Sequence, residues 1–157
     1  MVDCGDHQID RARRWLESEV IRHPGHGAWA DEYDAPDHVW LHMDHASGAH
    51  TVVEISYTYC HTTKEPRSQF VYELIGTDGI IRYDRQTELF EVRTPTGTKH
   101  LPHHEEKNFP GMYEHFVEAV RTGQPGPMPT GADGLIATRL ARLATEQAIA
   151  TRPRPAS

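Results

Sequence analysis

The sequence has few cysteines, no long apolar run and no excess of basic residues. Its 157 residues include two cysteines, Cys4 and Cys60, which are too few for a disulfide framework and indicate a reducing, cytoplasmic compartment. No apolar stretch approaches the roughly 18 to 20 residues that cross a bilayer, and the first ten residues lack the apolar segment of a secretory signal. Lysine and arginine total 16 against 23 acidic residues, a net charge of -7. We therefore expect a globular protein without a membrane or nucleic-acid partner.

Motifs for nucleophilic catalysis and for phosphate binding are also absent from the sequence. There is no G-x-S-x-G, and neither G-x-G-x-x-G nor G-x-x-x-x-G-K occurs. The glycine pair in Gly76-Thr77-Asp78-Gly79 lies between two predicted strands, whereas a phosphate-binding loop joins a strand to a helix. The chain alone is not expected to bind a dinucleotide in the Rossmann manner.

Apolar periodicity divides the chain into a helix, a run of strands and two further helices. Ile9, Ala12 and Leu16 predict a helix over residues 6–18, and the loop-forming clusters of residues 22–37 predict a loop. Val20 and Ile21 are consistent with the start of a strand. The remaining predicted strands are 39–45, 51–59, 69–75, 80–84, 88–93 and 99–101, and the two later helices are 109–122 and 131–150.

These elements predict one α+β domain over residues 1–151, followed by a disordered tail at 152–157. The short links between strands predict an antiparallel meander. A largely antiparallel sheet of about six strands, with helices packed on one face, is the simplest fold that buries the apolar stripes of the helices.

Residue parity predicts how the two central strands pair. A three-residue connection at 47–49 places Met43 opposite Val53 and Leu41 opposite Ile55, which keeps both apolar sets on one face. The same register places His42 opposite Glu54. The other face is mixed polar and suits either solvent or a wet subunit interface, so we expect a homo-oligomer. Its members are Trp40, His42, Asp44, Glu54, Ser56 and Thr58.

The N-terminal helix carries a candidate acid–base site. Asp3, His7 and Asp10 are spaced i, i+4, i+7, which places an imidazole and two carboxylates on one helical face. In the alternative, structural interpretation, Asp3 or Asp6 caps the helix and His7 is a solvated surface residue. Spacing alone favours the structural interpretation.

Twelve histidines raise the question of a metal site. His42, Asp44 and Glu54 are candidates in the sheet, and residues 103–106 form a second polar cluster. The sequence has no H-E-x-x-H, no paired C-x-x-C and no H-x-H on alternating strand positions. We therefore predict no metal ligand and retain a histidine-rich metal-binding protein as the weaker alternative.

Several segments in order resemble one family. Residues 3–10, Asp-Cys-Gly-Asp-His-Gln-Ile-Asp, with the later Trp15-Leu16, are similar to the D-x-G-x-H-x-x-D…W-L segment that opens the second domain of Gfo/Idh/MocA oxidoreductases. Residues 73–81 resemble that family's E-x-x-G-T-x-G-x-x turn. Residues 116–125 and 129–134 resemble its F-x-x-A-x-x-x-G-x-P and P-x-x-x-D-G segments.

The resemblance implies a substrate-binding and oligomerisation domain of an NAD(P)-dependent oxidoreductase acting on a sugar or polyol. Asp3 and His7 match the catalytic pair of the family, in which the histidine assists proton transfer from the substrate hydroxyl. Asp10 matches the last position of the motif and is assigned to substrate binding. On this basis His7 is catalytic, which reverses the interpretation from spacing alone.

The family's N-terminal Rossmann domain and its Glu-Lys-Pro motif have no counterpart in this sequence. No cofactor is therefore expected to bind this chain alone, and NAD(P) is implied through a Rossmann domain supplied elsewhere. A truncated gene or a split enzyme with a Rossmann-domain partner chain predicts dehydrogenase chemistry. A reused, non-catalytic ligand-binding or assembly module predicts none.

Overall fold

The computed structural model describes residues 1, 4–58, 64–66, 68–104 and 106–152. The predicted catalytic residue Asp3, Cys60 and the end of the predicted tail, 153–157, lie outside the described residues. The elements are α1 (Gly5–Leu16), β1 (Val20–Arg22), β2 (Gly25–Ala28), β3 (His38–His45), β4 (His50–Ser56), β5 (Val71–Gly76), β6 (Gly79–Asp84), β7 (Leu89–Thr94), β8 (Gly97–His100), α2 (Phe109–Thr122) and α3 (Gly131–Ala150).

The chain divides into two compact units, and each contains one antiparallel four-stranded sheet. The first unit comprises Met1–Thr58 and Glu114–Ser157, and the second comprises Tyr59–Tyr113. Strands β1 to β4 form the first sheet and β5 to β8 the second. The α+β class and the antiparallel pairing are confirmed, with eight strands in two sheets where the sequence predicted about six in one.

In the first unit, β3 is the central strand. It pairs with β4 along one edge, while β1 and β2 follow its other edge one after the other. The break between β1 and β2 falls at His23 and Pro24, where the Pro24 carbonyl still accepts a hydrogen bond from the His42 N–H at 3.0 Å. Proline cannot donate to a sheet, so an edge position with a local break accommodates it.

Strand β2 corrects the prediction that residues 22–37 are a loop. Its sequence, Gly-His-Gly-Ala, has neither β-branched residues nor apolar alternation, yet its glycines are the point where α3 approaches the sheet. A Cβ built on Gly25 would lie 2.6 Å from the Ala144 Cα, and one on Gly27 would lie 2.9 Å from the Ala148 Cβ. Glycine in a strand marks such a close approach of another backbone.

The hydrophobic core of the first unit lies between β3, α1 and α3. Along β3, the odd-numbered residues are buried and the even-numbered ones are partly exposed, as the alternation predicts. Ile9 of α1 and Leu41 and Met43 of β3 are fully buried, and α3 contributes a face that is mostly alanine. The buried members of that face are Ala137, Leu140, Ala141, Ala144 and Ala148. Helices α1 and α3 therefore pack on one face of the sheet.

The β3–β4 hairpin keeps the predicted parity but shifts its register by two residues. Leu41 pairs with Val53 and Val39 with Ile55, so Trp40, not His42, lies opposite Glu54. The loop is three residues long, as predicted, but it consists of residues 46–48. Gly48 adopts φ +86°, and a three-residue hairpin loop requires such a left-handed residue at its last position.

His45 ends β3 on the buried face and is 1% exposed. Its Nδ1 lies 3.2 Å from the Ser18 carbonyl oxygen, and its Nε2 lies 3.0 Å from the Thr51 hydroxyl oxygen. The carbonyl can only accept, so Nδ1 is the donor and Nε2 accepts from the threonine hydroxyl. This histidine is a satisfied core residue with both ring nitrogens engaged.

The second unit is a meander in the order β5-β6-β7-β8, as predicted. The β5–β6 turn brings Gly76 opposite Gly79, whose φ is +158°. An aromatic group lies on this sheet, with the Tyr83 ring stacked on His103 at 4.9 Å between centroids. The β5–β6 turn connects two antiparallel strands. The described residues contain no parallel strand–helix–strand unit.

Helix α2 forms where the periodicity predicts it and ends before Gly123, whose φ is +68°. Its apolar stripe, predicted to pack on the sheet, instead has no buried residue. An apolar stripe indicates that a face is suited to burial, but it does not say which surface covers that face. No helix in the described ranges is both long enough and apolar enough to cross a membrane.

Helix α3 begins at a capping box formed by Thr130 and Asp133. The Thr130 hydroxyl accepts a hydrogen bond from the Asp133 N–H, and the Asp133 carboxylate accepts one from the Thr130 N–H. Two backbone N–H groups at the helix end are thereby satisfied.

Replacing Gly25 with alanine should destabilise the first unit. The added methyl group would overlap the Ala144 backbone, and overpacking of this kind costs about 1–3 kcal/mol. Urea unfolding of G25A and wild type measures the difference as a lower midpoint at unchanged slope.

The matched control is Gly134→Ala, because a Cβ there meets no described atom within 4 Å. Alanine inside a helix is more favourable than glycine by roughly 0.5–1 kcal/mol, so G134A should raise the midpoint. Equal midpoints for G25A and wild type would contradict the close approach of α3 to β2.

Candidate functional site

The candidate site begins in the first turn of α1. Gly5 is buried there, and a Cβ at this position would overlap the Met1 sulfur and lie 3.4 Å from the Ile55 Cγ1 of β4. Glycine thus allows the start of α1 to lie close to the sheet. Cys4, the N-cap residue, makes no side-chain capping hydrogen bond, but the Asp6 carboxylate accepts one from the His7 N–H at 2.8 Å. Asp6 therefore stabilises the first turn of the helix as an acidic residue, but the N-cap itself is Cys4 and not Asp6.

His7 lies on the exposed side of this turn. Its imidazole makes no hydrogen bond or ion pair with any residue that the structure describes, while Ile9 and Ala12 point into the core. An exposed imidazole with both ring nitrogens available has the properties that a proton-transfer group needs. Its predicted partner Asp3 lies outside the described residues, so the geometry of that pair remains a prediction.

Asp10 is more buried than His7 and faces two arginines. Its Oδ1 lies 4.0 Å from the Arg13 Nη1, and its Oδ2 lies 3.8 Å from the Arg14 Nε. Oδ1 is buried and accepts no hydrogen bond from the described residues. A buried carboxylate oxygen without a hydrogen bond is unusual, and here the adjacent charge of Arg13 compensates it. The structure does not join Asp10 to His7 by a hydrogen bond.

Arg13 connects α1 to the start of α3. Its side chain is 7% exposed, and its Nη2 donates to Glu19 Oε1 at 2.8 Å while its Nη1 lies 3.5 Å from Asp133 Oδ1. Burial acts to lower the pKa of Arg13, but the hydrogen bond and charge of Glu19, with the charges of Asp133 and Asp10, raise the pKa overall. The guanidinium therefore stays charged and holds three carboxylates around it.

Arg14 holds the connection between α2 and α3 against α1. Its Nη1 donates to the Pro127 carbonyl oxygen at 2.6 Å. His7, Asp10 and Arg14 follow the i, i+3, i+7 spacing of one helical strip. Sequence analysis considered the acidic residues and the histidine of this strip and missed its arginines. A carboxylate with a cation three and four residues later was the available signal.

The open face of the first sheet separates the residues that the sequence grouped as metal candidates. His42 and Glu54 are not opposite each other, and the Glu54 Oε1 instead lies 2.9 Å from the His38 Nε2. His50 contacts both His42 and Asp44. The described part of the chain contains no group of three or more His, Cys, Asp or Glu residues arranged to hold a metal ion.

The residues present do not fit a dinucleotide. A Rossmann site needs a glycine-rich turn between a strand and a helix, with the helix N-terminus at the pyrophosphate. The glycine pair Gly76 and Gly79 lies instead in the β5–β6 hairpin, and the two strands that flank it are antiparallel to each other. NAD(P) binding is therefore not a property that these residues supply.

The architecture is that of a mixed α+β domain, with three helices and two antiparallel four-stranded sheets among the described residues. The family model described as "Oxidoreductase family, C-terminal alpha/beta domain" matches residues 1–154. The chain belongs to the Gfo/Idh/MocA oxidoreductase family, and the resemblance seen in its sequence is confirmed.

Solved structures share the fold at low sequence identity. UDP-N-acetylglucosamine 3-dehydrogenase GnnA from Acidithiobacillus ferrooxidans is 15% identical with a TM-score of 0.74, covering 93% of this chain and 46% of that one. An oxidoreductase from Agrobacterium radiobacter in complex with NAD+, L-tartaric acid and magnesium is 24% identical with a TM-score of 0.74, covering 96% and 47%. Aldose-aldose oxidoreductase from Caulobacter crescentus, complexed with glycerol, is 20% identical with a TM-score of 0.73, covering 96% and 45%.

This chain thus spans slightly less than half the length of these structures. A search of the curated proteins found no significant match.

The Asp133 carboxylate should make stability depend on pH. Hydrogen bonds from the side chain and then the backbone of Thr130, followed by the charges of Arg13 and Arg14, hold its pKa below the usual value. A lowered folded-state pKa stabilises the fold above the unfolded pKa of about 3.9, and this contribution is lost as pH falls through the folded value. Urea midpoints of wild type and D133N, measured from about pH 6 to about pH 2, should differ most at the higher pH and converge on acidification.

The control is D34N, because Asp34 is an exposed loop residue. Its stability should follow that of wild type at every pH. A constant difference between D133N and wild type across the range would contradict an ionised Asp133 as the source of the effect.

Proposed function

We propose that this chain forms the C-terminal, substrate-binding and oligomerising half of an NAD(P)-dependent Gfo/Idh/MocA oxidoreductase that acts on a sugar or polyol. The observation that carries this proposal is the family match over residues 1–154. The match begins with the motif that places His7 on the exposed side of α1.

His7 is the proton-transfer group of the proposal. Its imidazole is exposed and unengaged among the described residues, so a ring nitrogen is free to accept the proton of a substrate hydroxyl. Asp3 is proposed to orient the imidazole from the preceding turn. Asp10 is proposed to bind substrate, because it lies one turn from His7 on α1 and its partly exposed carboxylate can accept a hydrogen bond from a substrate hydroxyl.

The class of substrate is supported by the relatives of similar fold. One is an aldose-aldose oxidoreductase complexed with glycerol, and another is a levoglucosan dehydrogenase in complex with NADH and L-sorbose. Both contain polyhydroxylated molecules. A surface with a carboxylate, an imidazole and arginines offers the acceptors and donors that such a molecule requires.

The cofactor is proposed to come from a Rossmann domain, either on the same polypeptide or on a separate chain. The 157-residue chain by itself should show no NADH binding in a fluorescence titration, because its glycine turn is a hairpin. NADH binding by this chain would contradict the proposal that a Rossmann domain supplies the cofactor. Translation of the DNA upstream of codon 1 distinguishes the arrangements: an in-frame G-x-G-x-x-G with Glu-Lys-Pro supports one polypeptide, and a neighbouring Rossmann gene supports two.

The role of His7 is tested in the enzyme that includes the Rossmann domain. After wild-type activity is found among a set of sugars and polyols, His7→Gln should lower kcat by about 100-fold or more, because general acid–base catalysis contributes at least that factor. KM should change little, and the pH dependence of kcat should lose the step due to the base.

The control is His115→Gln, since His115 is an exposed histidine on α2. This variant should retain the kinetic constants of wild type. An H7Q enzyme with full kcat and an unchanged pH profile would refute the catalytic assignment. Asp10→Asn should instead raise KM, as expected for loss of a substrate contact.

A further inference from the structure

A histidine pair on the open face of the first sheet is used neither by the core nor by the proposed catalytic strip. In the antiparallel pairing of β3 and β4, each pair of opposite residues has numbers that add up to 94, so even-numbered residues lie opposite even-numbered ones. His42 of β3 and His50 of β4 are both even-numbered and therefore lie on the same face of the sheet. His42 Nδ1 and His50 Nε2 are 3.4 Å apart, and their ring centroids are 5.5 Å apart. Two ring nitrogens from different strands therefore lie close enough together to share a ligand.

The hydrogen bonds of His50 fix which of its nitrogens carries a lone pair. His50 Nδ1 lies 2.7 Å from Asp44 Oδ1, and the other carboxylate oxygen accepts a hydrogen bond from Arg22 Nη1 at 3.1 Å. A carboxylate whose two oxygens face donors in this way acts as the acceptor of both hydrogen bonds. His50 Nδ1 is thus the protonated nitrogen, and Nε2 offers its lone pair toward His42.

The distance between the two nitrogens matches a shared metal ion. Zn–N bonds of about 2.0–2.1 Å at a tetrahedral angle place two ligand nitrogens about 3.3–3.4 Å apart. Without a metal, the same two nitrogens are close enough for one ring to donate a hydrogen bond to the other. We propose that His42 Nδ1 and His50 Nε2 form a two-histidine site for a divalent late first-row transition metal, with Zn²⁺ as its representative.

Asp44 supports this pair in the way that carboxylates support metal-binding histidines. A carboxylate that accepts the N–H of a ligating histidine fixes its tautomer and ring orientation. Here Arg22, Asp44 and His50 form one row across β1, β3 and β4, because Arg22 pairs with Asp44 and Asp44 with His50. Three strands therefore hold the orientation of His50 before a metal arrives.

The two ligands also define the selectivity and the strength of the site. Imidazole nitrogens favour zinc, copper and nickel over magnesium and calcium, which take oxygen ligands. With two protein ligands, water completes the coordination, so binding is exchangeable and weaker than at a closed structural site. The His50 side chain is 50% exposed, so an ion reaches it from solvent. This proposal does not depend on the proposed oxidoreductase function.

The test is a calorimetric titration of the tag-free 157-residue chain with zinc chloride, after chelator treatment and dialysis. Wild type should bind one zinc per chain at this site. His42→Gln and His50→Gln should each abolish that binding event, and Asp44→Asn should weaken it by about tenfold. Circular dichroism and thermal midpoints check that the variants are folded.

The matched control is His38→Gln, on the same strand and face as His42. Its ring is stacked on Trp40 at 3.8 Å between centroids, so its loss should leave zinc binding unchanged. In wild type, ¹H–¹⁵N correlation spectra should show zinc-dependent shifts at His42 Nδ1 and His50 Nε2, a readout that needs no variant. No zinc binding by wild type, or zinc-dependent shifts confined to other histidines, would overturn the proposal.

Discussion

The first unit depends on the close approach of α3 to β2. Gly25 and Gly27 leave room for the Ala144 backbone and the Ala148 methyl group, and the Gly25 N–H donates to the Gln147 side chain at 2.8 Å. Small residues on both sides bring backbone and backbone together, where dispersion contacts are dense. That distance determines the space left for α1, whose Ile9 is packed into the same core. The position of His7 on the surface follows from how α1 is seated.

Ion pairs add to the packing that holds α1 against α3. Arg13 is nearly buried between Glu19, Asp133 and Asp10, so α1 is held to the N-terminus of α3 by a cation whose desolvation is offset by several carboxylates. Removing one charged partner of such a group leaves the other charges uncompensated. The resulting loss of stability is larger than the net stabilisation that the ion pair contributes. The same arrangement keeps Asp10 beside His7 on the helix while leaving one of its oxygens without a donor. The carboxylate proposed to bind substrate is therefore also part of the ion-pair group around Arg13.

Elements with a clear period were predictable from the sequence. The presence of α1, α2 and α3, the second meander and the buried parity of β3 followed from apolar spacing, although α1 ends at Leu16, two residues before its predicted end. Strand β2 was missed because glycine strands carry no apolar period, and the hairpin register was displaced because Gly48 was placed in the middle of the loop. The prediction that the sheet covers α2 was wrong, because an amphipathic pattern does not identify the surface that covers the apolar face. For the site, the motif predicted His7 and Asp10, but the ion pairs of Arg13 depend on tertiary distances that no pattern contains.

The two faces of strand β3 have different environments, because its side chains alternate between the buried core and the open face of the sheet. His45, on the odd face, has its nitrogens saturated by Ser18 and Thr51, so it serves the core and has no lone pair left for a ligand. His42, on the even face, contacts the Nε2 of His50, while the Nδ1–H of His50 donates a hydrogen bond to Asp44. Two histidines three residues apart thus differ in chemistry because one ring is enclosed by complete hydrogen bonds and the other is not. The strand's period of two, rather than the number of histidines in the sequence, decides which imidazoles remain available for binding.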